Sequence, residues 1–162
     1  GGIYCDDSSP TLTDLIISGN TSTSLGGGIY CNNSSPTITV VTISGNTTNY
    51  GGGIYCYLNS SPILTDVTIS GNTAHFGGGG IFCYDASSPT LTDVTISGNT
   101  ATGSGGGIFI RDNSSPTLTD LTISGNSADN GGGIYCNASN FTMNDVTITD
   151  NTANYGGGGY LD

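Results

Sequence analysis

A phrase of about 26 residues is written six times along this chain, and that recurrence leaves few folds open to it. In its second copy the phrase reads GGGIYCNNSSPTITVVTISGN, from Gly26 to Asn46. Asn returns at Asn20, Asn46, Asn72, Asn99, Asn126 and Asn151, at spacings of 26, 26, 27, 27 and 25. Pro returns at Pro10, Pro36, Pro62, Pro89 and Pro116, with Phe141 in its place in the last copy. Ile occupies Ile17, Ile43, Ile69, Ile96, Ile123 and Ile148, and each copy opens on Ile3, Ile29, Ile54, Ile81, Ile108 or Ile134. A fixed period of this size marks a repeat architecture, in which each unit is too small to bury its own apolar face.

Within a copy the period is 2, the signature of a strand. Ile29 and Cys31 fall on one side of GIYC and Tyr30 on the other. Ile38 opposes Thr37 and Thr39, and Val41 and Ile43 flank an opposing Thr42. SSP, then Asp or Val, then GNT with a glycine run separate three short strands. About five inward side chains per copy close a core only when like stacks on like. The expected fold is therefore all-β: a parallel β-solenoid of about six coils of 25–27 residues, three short strands per coil. Coils about 4.8 Å apart make a rod roughly 29 Å long. An antiparallel sandwich would not need the same residue type to return at the same place. Residues 1–162 read as a single solenoid. It opens in mid-phrase on GGIYC and closes on GGGGYLD, as a section of a longer array or a stacking subunit would.

Composition narrows the function. There is one Lys or Arg, Arg111, against twelve Asp and no Glu, for a formal charge of −11. Nucleic acid needs its phosphates neutralised, and an anionic membrane surface attracts basic segments, so neither is an expected partner. No apolar run approaches the length of a membrane span.

SGNTA followed by GGGIY or GGGIF resembles the repeat of chlamydial polymorphic outer membrane proteins, built on GGA-I/L/V and F-x-x-N words. It is also similar to the wider set of right-handed parallel β-helix repeats in large secreted bacterial and archaeal surface proteins. Here Gly stands for Ala in the GGA word and Ile for Phe ahead of Ser-Gly-Asn. The resemblance covers all six copies. It implies a right-handed coil and a surface-exposed stalk, passenger or adhesin.

Each column carries a structural reading and a functional one. The Asn column follows a glycine at a bend, where Asn tolerates left-handed backbone and its amides can bond coil to coil. It is read as a structural ladder. The glycine triplets let the chain turn and approach its neighbour, and no phosphate-binding word opens a helix. Cys5, Cys31, Cys56, Cys83 and Cys136 share one inward position, taken by Ile110 in the fifth copy. They are expected as buried thiols, with an in-register disulfide as the alternative. Tyr4, Tyr30, Tyr55, Phe82, Phe109 and Tyr135 are expected to point outward. They form the candidate surface for a sugar ligand or lateral packing, or else simply shield the backbone. Asp14, Asp66, Asp93, Asp120 and Asp145, interrupted by Val40, are ordinary turn formers and the only candidate Ca²⁺ ligands, although no calcium-binding nonapeptide accompanies them. Thr11/Thr13, Thr37/Thr39, Thr90/Thr92 and Thr117/Thr119, broken by Ile63 and Asn144, resemble the flat Thr rows of some antifreeze proteins. Asn33, Asn59 and Asn113 head exposed NSS sequons, candidate glycosylation sites.

Pectate lyases and polygalacturonases share a parallel β-helix, but that is analogy of fold alone. Arg111 lies in a turn without repeated acidic company, and Asp6 and Asp7 are adjacent rather than flanking a cleft. No catalytic residue, cofactor or metal requirement is expected. The expected role is a non-enzymatic, secreted or surface-anchored solenoid serving as stalk, adhesin segment or filament subunit. Its partners would be copies of itself or a surface glycan. A carbohydrate-binding module and an ice binder are the alternatives, and a lyase-like enzyme comes last.

Overall fold

The computed structural model describes residues 1–162. The chain winds through three sheets in which every strand pairs in parallel with the equivalent strand one coil away. The first sheet has seven strands: Ile3–Asp6, Ile29–Asn32, Ile54–Tyr57, Ile81–Cys83, Ile108–Arg111, Ile134–Asn137 and Gly159–Leu161. Its register sets Ile3 on Ile29 on Ile54 on Ile81, and Cys5 on Cys31 on Cys56 on Cys83.

The second sheet departs from expectation. PTIT and VTIS were expected as separate strands. In the first four coils they form one eight-residue strand, Thr11–Ser18, Thr37–Ser44, Ile63–Ser70 and Thr90–Ser97. Asp14, Asp66, Asp93, Asp120 and Asp145 stand at the bend with φ between 53° and 55°. One left-handed residue turns the chain while pairing resumes at once on either side: Thr65 and Val67 pair with Thr92 and Val94, and Asp66 is skipped. It also breaks the alternation, so that Leu64 and Val67, three apart, both point inward and are buried.

Val40 takes the same turn with φ 55°, half exposed. A β-branched residue in left-handed backbone is strained by about 1–2 kcal/mol. Val40→Asn is expected to raise the denaturant midpoint, stabilising the fold by about 1 kcal/mol. An unchanged or lower midpoint in equilibrium unfolding would contradict this account of the bend.

The third sheet comes from residues that looked like punctuation: Thr47–Tyr50, Thr73–Gly77, Thr100–Ala101, Ser127–Asn130 and Thr152–Tyr155. Thr48, Ala74 and Ala101 are its buried inward residues. Three strands per coil therefore hold, with the boundaries redrawn.

The five inward columns expected from alternation make one continuous core. Ile29, Cys31, Ile38, Val41 and Ile43 of the second coil are all buried in it, as are Ile54, Cys56, Leu64, Val67 and Ile69 of the third. In the first coil Ile3 and Leu12 are only partly buried and Leu15 is exposed. Fully burying an aliphatic side chain of this size contributes about 1.5–3 kcal/mol.

The turns stack as tightly as the sheets. Of 108 backbone hydrogen bonds, 56 lie outside the strands, so the coils are joined almost all the way round. In the runs that begin at Gly26, Gly51, Gly105 and Gly131 the first glycine is left-handed (Gly51, φ 66°) and the next two sit where no side chain fits; in Gly77–Gly80 the left-handed residue is Gly78. A Cβ on Gly53 would lie 2.6 Å from the Gly80 carbonyl oxygen. No helix of the chain is long and apolar enough to cross a membrane.

Candidate functional site

Most of the singled-out polar residues face one another across coils. The Asn column is a buried ladder. Asn46 Oδ1 accepts from both the backbone N–H and the Nδ2 of Asn20, at 2.9 and 3.0 Å. Asn46 Nδ2 donates to Asn72 Oδ1 and to the Ile17 carbonyl. The same pattern carries through Asn72, Asn99 and Asn126 to Asn151. Two donors and two acceptor positions are thus satisfied in each inner amide, which is all that a primary amide offers.

A serine ladder runs beside it from the SSP words. Ser8, Ser34, Ser60 and Ser87 each donate their backbone N–H to the Oγ of the serine one coil on. The second serine of each pair accepts in the opposite sense: Ser35 N–H bonds Ser9 Oγ and Ser61 N–H bonds Ser35 Oγ. Read as a turn word, SSP gave no sign of this.

All five cysteines are free and buried. Hydrogen bonding with Cys31, followed by burial, pushes the Cys5 thiol well up, and burial alone raises Cys136. The Cys5 and Cys136 thiols stay protonated, and the buried column packs as small apolar groups. The Asp column is exposed, and no group of three or more acidic, His or Cys side chains converges there or elsewhere. Its shared left-handed backbone, adopted by Val40 as well, accounts for the residue type. The Thr columns lie in register along the second sheet, with Ile63 breaking the first and Asn144 the second. Asn33, Asn59 and Asn113 stand exposed with left-handed φ in the turns after the first sheet.

The aromatic column needs correction. It does point away from the core, and its rings form an unbroken stack with centroids 4.6–5.4 Å apart from Tyr4 through Tyr30, Tyr55, Phe82, Phe109 and Tyr135 to Tyr160. It is not, however, an exposed row. Tyr4 is 60% exposed, whereas Tyr55 and Phe82 are 6% and 2% exposed. Side chains from other parts of the coil flank them: Tyr50 meets Phe82 edge-on at 5.5 Å, and Tyr57 and Tyr84 lie beside Tyr55 and Phe82. Burial, with Tyr30, Tyr84, Tyr57 and Tyr50 adding to it, lifts the Tyr55 hydroxyl above its ordinary range, so it is neutral at physiological pH.

This flanking builds an aromatic hollow on the outer face. Leu25, Tyr50, Tyr55, Phe82, Tyr84 and Arg111 line a cleft of about 220 Å³. Tyr55 and Phe82 are nearly parallel (14°), as are Tyr57 and Tyr84 (12°). Arg111 occupies the position of Tyr57 and Tyr84 in the next coil, and its guanidinium carbon lies 5.3 Å from the Tyr84 ring centroid. The outer column was legible, but Tyr50, Tyr57, Tyr84 and Arg111 were missed. The available signal was the second aromatic two residues after the first in IYCY and IFCY, a period-2 repeat on the same face.

A chain built this way, coil on parallel coil with an inward aliphatic stack and asparagine-bonded turns, is a parallel β-helix. It belongs to the right-handed β-helix family: the family model described as right handed beta helix region matches residues 1–161. The match identifies the family at that breadth and does not single out the chlamydial repeats. No curated protein and no solved structure matches the chain.

Proposed function

We propose that this β-helix is a non-enzymatic structural rod outside the cell or on its surface, a stalk, adhesin segment or filament subunit. The observation that carries the reading is where the coil-facing polar groups go. The Asn and Ser columns, residue types that elsewhere supply chemistry, are taken up in bonds from one coil to the next. A regular stack with filled hydrogen-bonding columns is stiff, because each coil is restrained by both neighbours. The charge of −11, with one Arg, favours solubility and keeps the rod away from polyanions. Ice binding has weaker support, since Ile63 and Asn144 interrupt the Thr columns and the left-handed bend divides their sheet.

Repeating residues 38–63 once, directly after residue 63, tests the rod. The longer chain should fold, with solution scattering showing an added length of about 4.8 Å. It should still label on intact cells of its source with an antibody to the natural protein. The same preparation should leave neutral and acidic polysaccharides uncut. Loss of folding on insertion, labelling only after cell lysis, or sustained release of new sugar ends would overturn the reading.

A further inference from the structure

We infer that the cleft lined by Tyr50, Tyr55, Phe82, Tyr84 and Arg111 is a binding site for one sugar ring bearing a carboxylate, at the end of an otherwise uncharged glycan. The inference stands apart from the rod reading, and either can fail without the other.

The cleft combines two chemistries at one place. Tyr55 and Phe82, nearly buried, close its floor, and the half-buried Tyr50 and Tyr84 are its amphipathic walls, against which the C–H face of one sugar ring can lie while tyrosine hydroxyls meet its edge. Its volume of about 220 Å³ is below the range usual for drug-sized ligands, which favours a single ring. At its edge stands Arg111, the only Lys or Arg in a chain with twelve Asp. Two contacts fix the guanidinium: the Tyr84 ring beneath it and a 3.1 Å bond from Nε to Asp112 Oδ2. That bond uses one edge of the fork. No hydrogen bond engages either Nη, and the side chain is 41% exposed. A preorganised fork with free N–H groups matches a planar carboxylate in two-point contact.

Charge also limits the ligand. A polyanionic chain laid along a rod of charge −11 would be repelled at every coil. One terminal acid next to the single guanidinium would not. An apolar peptide side chain suits the rings but makes no use of the fork, while a peptide C-terminal carboxylate uses the fork but only part of the ring platform.

Titration of the whole protein with methyl β-glucuronide, followed by NMR of the tyrosine ring signals, tests the assignment. Methyl β-glucoside is the neutral isostere, and N-acetyl-leucine is the peptide-like acid. Saturable shifts in the millimolar range are expected for the glucuronide, with binding at least about tenfold weaker for the glucoside. Arg111→Gln should weaken the glucuronide by the same factor and leave the glucoside unchanged. Asp112→Asn removes the competing carboxylate while keeping a residue that tolerates its left-handed φ of 53°. It should tighten glucuronide binding, which a purely structural role for the pair would not produce. Equal binding of acid and neutral sugar, no saturable shift, indifference to both substitutions, or tighter binding of N-acetyl-leucine would each overturn the assignment.

Discussion

Asn99→Ala is expected to destabilise the fold by about 3–6 kcal/mol, among the largest effects available to one substitution here. The reason lies mostly with the groups left behind. Removing Asn99 Oδ1 strips the acceptor from both the backbone N–H and the Nδ2 of Asn72, and both sit in a site closed to water. Each buried orphan costs about 1–3 kcal/mol. The Ile69 carbonyl loses the Asn99 Nδ2 donor as well, and Asn126 Oδ1 loses one of two, keeping the Asn99 backbone N–H. Asn99→Asp keeps the shape and separates the causes. A carboxylate still serves Asn72, but it turns an acceptor toward the Ile69 carbonyl and Asn126 Oδ1, both acceptors themselves. Burial and that repulsion raise its folded pKa above the unfolded value. Its stability is then fullest below the unfolded carboxyl pKa and is lost as pH rises through the folded pKa. Denaturant midpoints should show Asn99→Asp approaching the parent protein in acid and falling away from it toward neutrality. A gap between the two that does not change with pH would contradict the ladder.

Gly80→Ala is the second large effect. The new Cβ would lie 2.5 Å from the Gly107 carbonyl oxygen, 3.0 Å from Ile96 Cγ2 and 3.3 Å from Asn99 Nδ2. The first of these is backbone of the next coil and can yield only if the coils separate, breaking the Ile81-to-Gly107 bond beside it. A loss of at least about 3 kcal/mol is expected, at the upper end of overpacking costs. Gly98→Ala is the control. Gly98 has φ 61° but open space around its Cα, so alanine there meets only backbone strain of about 1–2 kcal/mol. Thermal unfolding of the pair should rank Gly80→Ala well below Gly98→Ala. The reverse order would mean that the glycine runs serve the turn rather than the close approach of coils.

What the sequence made legible follows from side-chain size and period. The five inward columns were readable because Ile, Leu, Val and Cys alternate with Thr, Ser and an aromatic, and the structure buries all five in the inner coils. The third sheet was not, because its inward residues are Thr48, Ala74 and Ala101, too small to stand out against the Thr, Ser and Asn around them. The bend at Asp14 and its equivalents was placed correctly but taken for a strand boundary, since composition does not reveal that pairing continues past one left-handed residue. The outward direction of the aromatic column was also readable. Its burial was not, because the cover is shared: Tyr57 and Tyr84 stand two residues past Tyr55 and Phe82, but Tyr50 comes from a strand ahead of the glycine run and meets Phe82 one coil on. Which turn rises high enough to lean on which strand depends on the path of the whole coil. Arg111 illustrates the same limit, lying in a turn by sequence and at the edge of a cleft in space.

The bonding sense of the Asn ladder gives every coil two unlike faces. On one, asparagine offers its backbone N–H and one Nδ2 hydrogen to the side-chain oxygen of the next coil's asparagine. On the other, its own oxygen accepts from the asparagine of the coil before, and its second Nδ2 hydrogen reaches an isoleucine carbonyl there. The rod is therefore an arrow rather than a bar, and a coil inserted upside down would set donor against donor. Tandem duplication of a gene segment copies a unit always head to tail and never inverted. A scaffold of this kind can lengthen by copying one of its own units, because the sense in which the genetic text is repeated is the sense in which its hydrogen bonds must run.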